Sequence, residues 1–174
     1  MPNAGLAEAA RDLLRAAVAD EATAARFRAH TVHVPGYGCP VLWSGAVSGR
    51  GHGRFWLGQA GGRDVVVIAH RFAFALQHGV DALERVPLLG HRCDNPLCQS
   101  IGPGHVEVSS AWRNRHEWAM RRDTIGGALR DARGARGRAR AIRDALRRDP
   151  SVDSLQAAAR LGLSGDLDQL PLWE

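Results

Sequence analysis

Between positions 4 and 29 (AGLAEAARDLLRAAVADEATAARFRA) apolar residues recur at three- and four-residue spacing, which predicts one helix with a single buried face. Glycines and prolines then break that pattern. Over 40–68 the segments VLWSGAV, GRFWLG and RDVVVIA lie between glycine-rich turns and predict short strands in antiparallel hairpins. AHRFAFALQHG (69–79) returns to helical spacing and stops at Gly79. VPLLG (86–90) is a strand leading into His91, and HVEVSS (105–110) is a second strand whose serine caps the helix AWRNRHEWAMRR. The stretch 86–122 thus reads strand, cysteine-bearing polar loop, strand, helix.

Residues 126–148 predict an arginine-rich helical arm, ended by Asp149-Pro150. SVDSLQAAARLG starts another short helix, with Ser151 or Asp153 at its cap, and SGDLDQLPLWE has no period and reads as extended. The chain divides into an N-terminal helix (1–30), a core (31–122), an arm with a short helix (123–163) and a tail (164–174), an α+β arrangement. Trp43, Trp56, Trp112 and Trp118 are assigned to the core, and His70 and Arg71 to packing and hydrogen bonding in the first core helix. His30, His33, His52, His78 and His116 are assigned solvated or structural roles.

Composition adds a direction. An apolar share of 45% in 174 residues is enough for a core without disulfides, which excludes a mostly disordered chain. No apolar run approaches the ~20 residues of a membrane span, and the first residues lack a basic-then-apolar signal, so a soluble, cytoplasmic protein is expected. All 23 basic residues are arginine, and the net charge of +5 points to a polyanionic partner, most simply double-stranded DNA. The charge is local: residues 113–148 hold twelve arginines against four acids, whereas 149–174 hold five acids and one arginine.

The candidate chemistry sits in GHRCDNPLCQSIGPGH, two histidines and two cysteines within sixteen residues. Three cysteines, two of them in a polar loop, argue in a reducing compartment for metal ligation. Cys93 and Cys98 are spaced C-x4-C around the turn Asp94-Asn95-Pro96, and His105 follows. Cys39, in a turn with Gly36, Gly38 and Pro40, completes a Cys3His set suited to structural zinc. His91 alternates away from Cys93; a histidine fixed at a strand end suits a general base. Asn114, on the following helix, offers a hard neutral oxygen for Mg²⁺ (or Mn²⁺). A base for water, a divalent ion on the phosphate and arginines for the growing charge make a phosphodiester hydrolase. Arg113, Arg115, Arg121 and Arg122 on that helix, with Arg136, Arg138 and Arg140 on the arm, are the candidate phosphate contacts.

These residues resemble a known family. The run His91-x-Cys93-Asp94-Asn95-Pro96-x-Cys98…His105, followed by a helix with Asn114-Arg115, is similar to the HNH or His-Me finger endonucleases of phages and actinobacteria, and to the His-Cys box homing endonucleases. Upstream, Cys39 before Trp43, the turn Gly51-x-Gly53-Arg54 and the helix opening Ala69-His70-Arg71 extend the resemblance over about 36–122. It implies a zinc-stabilised ββα-metal core, a DNA-nicking or double-strand-cleaving activity, His91 as base, Asn114 on the catalytic Mg²⁺ and His105 on zinc. It also implies an arginine of the hairpin region, Arg63 or Arg54, steadying the cleaved phosphate. The chain departs from the family in Cys39-Pro-Val-Leu-Trp43 and in six residues, rather than four, between Cys98 and His105. His105 therefore serves either zinc or the catalytic ion, and Asn95 is an alternative to Asn114.

A non-catalytic DNA-binding module stabilised by zinc is the alternative function. Double-strand cleavage with one site per chain would call for a homodimer. The tail residues Gln169, Leu170, Leu172 and Trp173 resemble the Gln-Leu-x-Leu-Phe/Trp peptides that grip the bacterial sliding clamp. Their apolar side chains either fold back on the chain's own core or fill a partner's pocket. With DNA as partner, a nucleoid-associated location in a bacterial or phage-infected cell is expected.

Overall fold

The predicted first helix is two. A computed structural model describes residues 8–122, Thr124 and residues 127–162, and it opens with α1 (Glu8–Ala19) and α2 (Glu21–Arg28). Asp20 separates them: its carboxylate accepts the Thr23 N–H at 2.8 Å and the Thr23 hydroxyl at 2.7 Å, capping a new helix. Apolar spacing runs through the break because both helices turn a face to one core, through Leu14 and Ala17 of α1 and Ala24 and Phe27 of α2.

Among the described residues, seven short strands follow in three small antiparallel sheets. β1 (Thr31–His33) pairs with β2 (Val41–Trp43). β3 (Ala46–Val47), β4 (Gly53–Ala60) and β5 (Arg63–Ile68) make a three-stranded sheet in that order. Gly61 and Gly62 join β4 to β5 with φ of 55° and 73°, the mirror-image turn that only glycine enters freely at both positions. Phe55 and Leu57 of β4 point inward, and Phe55 meets Phe27, Trp43 and Phe72 at ring-centroid distances of 5.2, 6.0 and 4.8 Å. Trp43, 1% exposed, lies flat between two backbones: a Cβ at Gly45 would fall 2.5 Å from its ring and one at Gly53 2.6 Å. Any side chain at either glycine would expel the indole.

α3 (Ala69–His78) continues directly from β5, buries His70, Phe72 and Phe74, and ends at Gly79 with φ 86°. α4 (Val80–Arg85) leads to β6 (Leu88–His91), which pairs with β7 (Val106–Ser109) before α5 (Ala111–Arg121). Ser110 caps α5, accepting the Arg113 N–H at 3.1 Å. The order strand, cysteine loop, strand, helix is as the sequence implies, and the whole is mixed α+β, with seven α-helices among the described residues.

Two expectations need correction. α5 buries none of its residues: Trp112 is 68% and Trp118 50% exposed, and Trp56 on the outer side of β4 is 48% exposed, so of the four tryptophans named only Trp43 is core. α5 is held by charge instead. Glu117 pairs with Arg92 and, at 2.8 Å, with Arg113, while Arg121 reaches Asp94 at 3.0 Å and the Arg92 carbonyl at 2.8 Å. The arm is likewise different from its expectation. After a 3-10 turn at Ala128–Arg130, α6 (Gly134–Arg148) starts eight residues later than the predicted arm and is packed, not projecting. Its Ala139, Ile142, Ala145 and Leu146 are buried against α7 (Val152–Arg160) and the body, and Arg147 donates to the Ser44 carbonyl at 2.7 Å. Ser151, not Asp153, caps α7.

The tail with Gln169, Leu170, Leu172 and Trp173 lies outside the described residues. Among the described residues no helix is long and apolar enough to cross a membrane. Because Ile142 is fully enclosed, Ile142→Ala is expected to cost about 2–5 kcal/mol in urea unfolding. An arm detached from the body would leave stability unchanged.

Candidate metal centre and adjoining histidine cleft

Cys39 is brought to the cysteine loop by backbone pairing. The free edge of β2 bonds to residues 97–99: the Trp43 N–H donates to the Leu97 carbonyl and the Gln99 N–H to the Val41 carbonyl, both at 2.9 Å, with Leu42 bridged to Cys98. The loop is a tight knuckle. Asp94 takes φ 50°, the Asn95 carbonyl accepts the Cys98 N–H at 3.0 Å, and the Asn95 side-chain oxygen accepts the Leu97 N–H at 3.1 Å.

The six-residue spacer to His105 is accommodated by a turn at Gly102-Pro103-Gly104. Gly104 takes φ 81°, and the His105 N–H closes the turn on the Gly102 carbonyl at 3.1 Å. His105 is thereby folded back to Cys98, with Nδ1 3.9 Å from Sγ. The ligand atoms of Cys39, Cys93, Cys98 and His105 all lie within 4.8 Å of one another. Thiolates on a tetrahedral ion with 2.3 Å bonds sit about 3.8 Å apart, so this cluster can hold a metal ion such as zinc with little movement. The thiols also perturb one another. Contacts from Cys39 and Cys98 hold the Cys93 thiol far below its ordinary range, whereas the contact with Cys93, then that with Cys98, and burial push Cys39 up. Cys98 is pushed up to about 12: its contact with Cys39 pulls it down, but contact with Cys93 and burial outweigh that pull.

His91, at the end of β6, lines a cleft of about 540 Å³ and also touches the Cys93 thiol, so it stands between the cluster and the cleft. Asn114 lines the same cleft, and its Oδ1 would lie 3.3 Å from a Cβ at Gly90, so the glycine before His91 lets the α5 amide close in. Arg121 and Arg138 also line it. Arg54 lines a neighbouring groove with His52 and Ile68. Arg63 does not line the cleft; it sits at the far end of the β4–β5 hairpin, paired with Ala60. Arg113 pairs with Glu117, Arg122 stacks over the Trp118 ring at 5.2 Å, and Arg115, Arg136 and Arg140 are exposed. Asn95 is buried in the knuckle, bonded as above, and does not line the cleft.

Two residues assigned to background roles are in fact beside His91. His70 Nδ1 lies 3.1 Å from His91 Nε2, with the rings at 89°, and His52 stacks obliquely on both at 5.4 Å. His91 Nδ1 is buried without a hydrogen-bond partner among the described residues. Burial, then the neighbouring His91 and Arg50, lower His52 to about 4; burial, His91, His52 and Arg71 lower His70 well below the usual range. Both rings are therefore neutral near pH 7. Their meeting follows from where the β4–β5 ladder ends. The ladder ends with Arg54 facing Ile68; His52 lies just before β4 and His70 in the first turn of α3, so the same end of the hairpin carries both rings. The sequence signal was the pair of histidines flanking a glycine-turned hairpin, but reading it requires knowing how α3 turns off the end of β5.

Compared with known proteins, the chain matches no family model, no curated protein and no solved structure.

The bonded state of Asn95 makes a clear expectation. Asn95→Ala strands the buried Leu97 N–H and should lower stability by about 1–3 kcal/mol, measured by thermal melting. An unchanged melt would show that the amide has no part in the turn.

Proposed function

We propose that this chain is a metal-dependent DNA endonuclease with a zinc-stabilised ββα-metal core. The observation that carries this reading is that His91 and Asn114, from strand and helix, line one cleft while the Cys3His cluster stands behind them. Cys39, Cys93, Cys98 and His105 would hold zinc, fixing the loop from which β6 and β7 diverge. Asn114 would hold Mg²⁺, whose chemistry is to draw charge from the scissile phosphate and its leaving oxygen.

The chain's own residues do the rest. His91 takes the proton from the attacking water, and its neighbour His70, 3.1 Å away, limits the ring's rotation. Arg121 and Arg138 on the cleft walls offset the negative charge that grows on the phosphate. Arg54, beside the cleft, is better placed to reach a phosphate than Arg63. Exposed Arg115, Arg136 and Arg140 supply backbone contacts that fix the duplex without reading its sequence. A second reading, a DNA-binding module without catalysis, draws on the exposed, arginine-bearing α5, which presents Trp112 and Trp118 to a partner.

Supercoiled plasmid separates the two. With Mg²⁺ or Mn²⁺ the wild type is expected to nick it. His91→Ala should reduce the rate by about 10²–10⁴-fold while retaining the wild-type circular dichroism and DNA binding. DNA binding by wild type without nicking under any divalent ion would favour the module and overturn the enzyme.

A further inference from the structure

We propose that His52, His70 and His91 form a second metal site, separate from the Cys3His cluster, that takes a borderline divalent ion such as Zn²⁺, Co²⁺ or Ni²⁺ in preference to Mg²⁺. The three rings offer ligand nitrogens that all lie within 4.8 Å of one another. His70 Nδ1 and His91 Nε2 are 3.1 Å apart, close to the separation of two imidazole nitrogens bound at about 2.0–2.1 Å to one ion. Each ring sits on a defined element: His52 just before β4, His70 in the first turn of α3, His91 at the end of β6. The first two meet where the β4–β5 ladder ends and α3 begins, their ring centroids 5.4 Å apart.

The chemistry selects the ion. Three imidazole nitrogens with no carboxylate among the ligand atoms suit first-row transition ions and offer little to Mg²⁺, which demands oxygen. His52 and His70 are already neutral near pH 7, so binding need not displace protons from them. The cleft gives an ion access to all three rings. Arg50 and Arg71 in the same lining oppose a cation, and Asp94 across from them partly offsets this. Such an ion would occupy the His91 nitrogen nearest His70 and remove the base from service, a consequence that rests on the nuclease reading; the site itself does not.

The test uses full-length protein whose Cys3His cluster has first been filled with a single equivalent of Zn²⁺, titrated with Co²⁺ in the presence of millimolar Mg²⁺. Visible absorption reports imidazole-bound cobalt, and the near-ultraviolet thiolate band reports any exchange into the cysteine cluster. One further Co²⁺ per chain is expected, with no thiolate band. His52→Gln, a partly buried position whose amide keeps the imidazole's rough size and polarity, is expected to weaken this uptake by at least about tenfold while circular dichroism still shows a folded chain. No saturable uptake by wild type, or equal uptake by His52→Gln, overturns the site. Plasmid nicking in the same samples distinguishes the two proposals. Nicking that falls as the second equivalent fills supports base capture, whereas nicking undiminished at full occupancy overturns it. Saturable uptake by a chain that never nicks upholds the site and overturns the nuclease.

Discussion

The pairing of β2 with the backbone of residues 97–99 is the contact on which the site depends. Two hydrogen bonds and the Leu42–Cys98 bridge carry Cys39 to a loop more than fifty positions downstream. The same strand ends in Trp43, whose indole fills the slot between Gly45 and Gly53 in the aromatic core. One short strand therefore couples the centre of the hydrophobic core to the cysteine cluster. Leu97 and Cys98 anchor the loop in the hydrophobic core, and a metal joining the four side chains would add to that anchorage.

The other side of the cleft is built differently. α5 contributes Asn114 without burying a single residue, and its position rests on Glu117 and Arg121. Burial would raise the Glu117 carboxyl, but the guanidiniums of Arg113 and Arg92 hold it below its ordinary range. Partly exposed ion pairs of this kind are weak singly and screened by salt, so α5 is the wall most easily displaced. A helix that shows Trp112, Trp118 and Met120 to solvent has its apolar surface free for a partner. The rigid half of the cleft, with His91, and the loosely held half, with Asn114, thus have separate physical origins.

How much of this was legible in the sequence varies with the range of the interactions. The Cys93–His105 segment is local chemistry, and its turn, its ligands and the strands on either side follow from sixteen residues; Cys39 followed by elimination, as the remaining cysteine. The break at Asp20 was hidden because apolar spacing continues through it and only the Thr23 hydrogen bonds reveal the cap. Trp112 and Trp118 were assigned to the core on size alone, since an ion-pair anchorage leaves no periodic trace. The arm was read from its arginines, although Ala139, Ile142, Ala145 and Leu146 form the apolar stripe that packs it down. His52 and His70 were passed over because they meet only where the end of one hairpin runs into α3, and hydrophobic pattern does not encode that long-range approach.

The central claim is that a metal held by Cys39, Cys93, Cys98 and His105 sets the geometry of the cleft beside it. The most direct measurement is the metal content of the wild type and of Cys93→Ser, both purified without added metal and analysed by plasma emission. About one zinc per folded wild-type chain, and less than a tenth of that in the variant, is the expected result. A folded wild type containing no metal, or a variant that keeps its full equivalent, would contradict it.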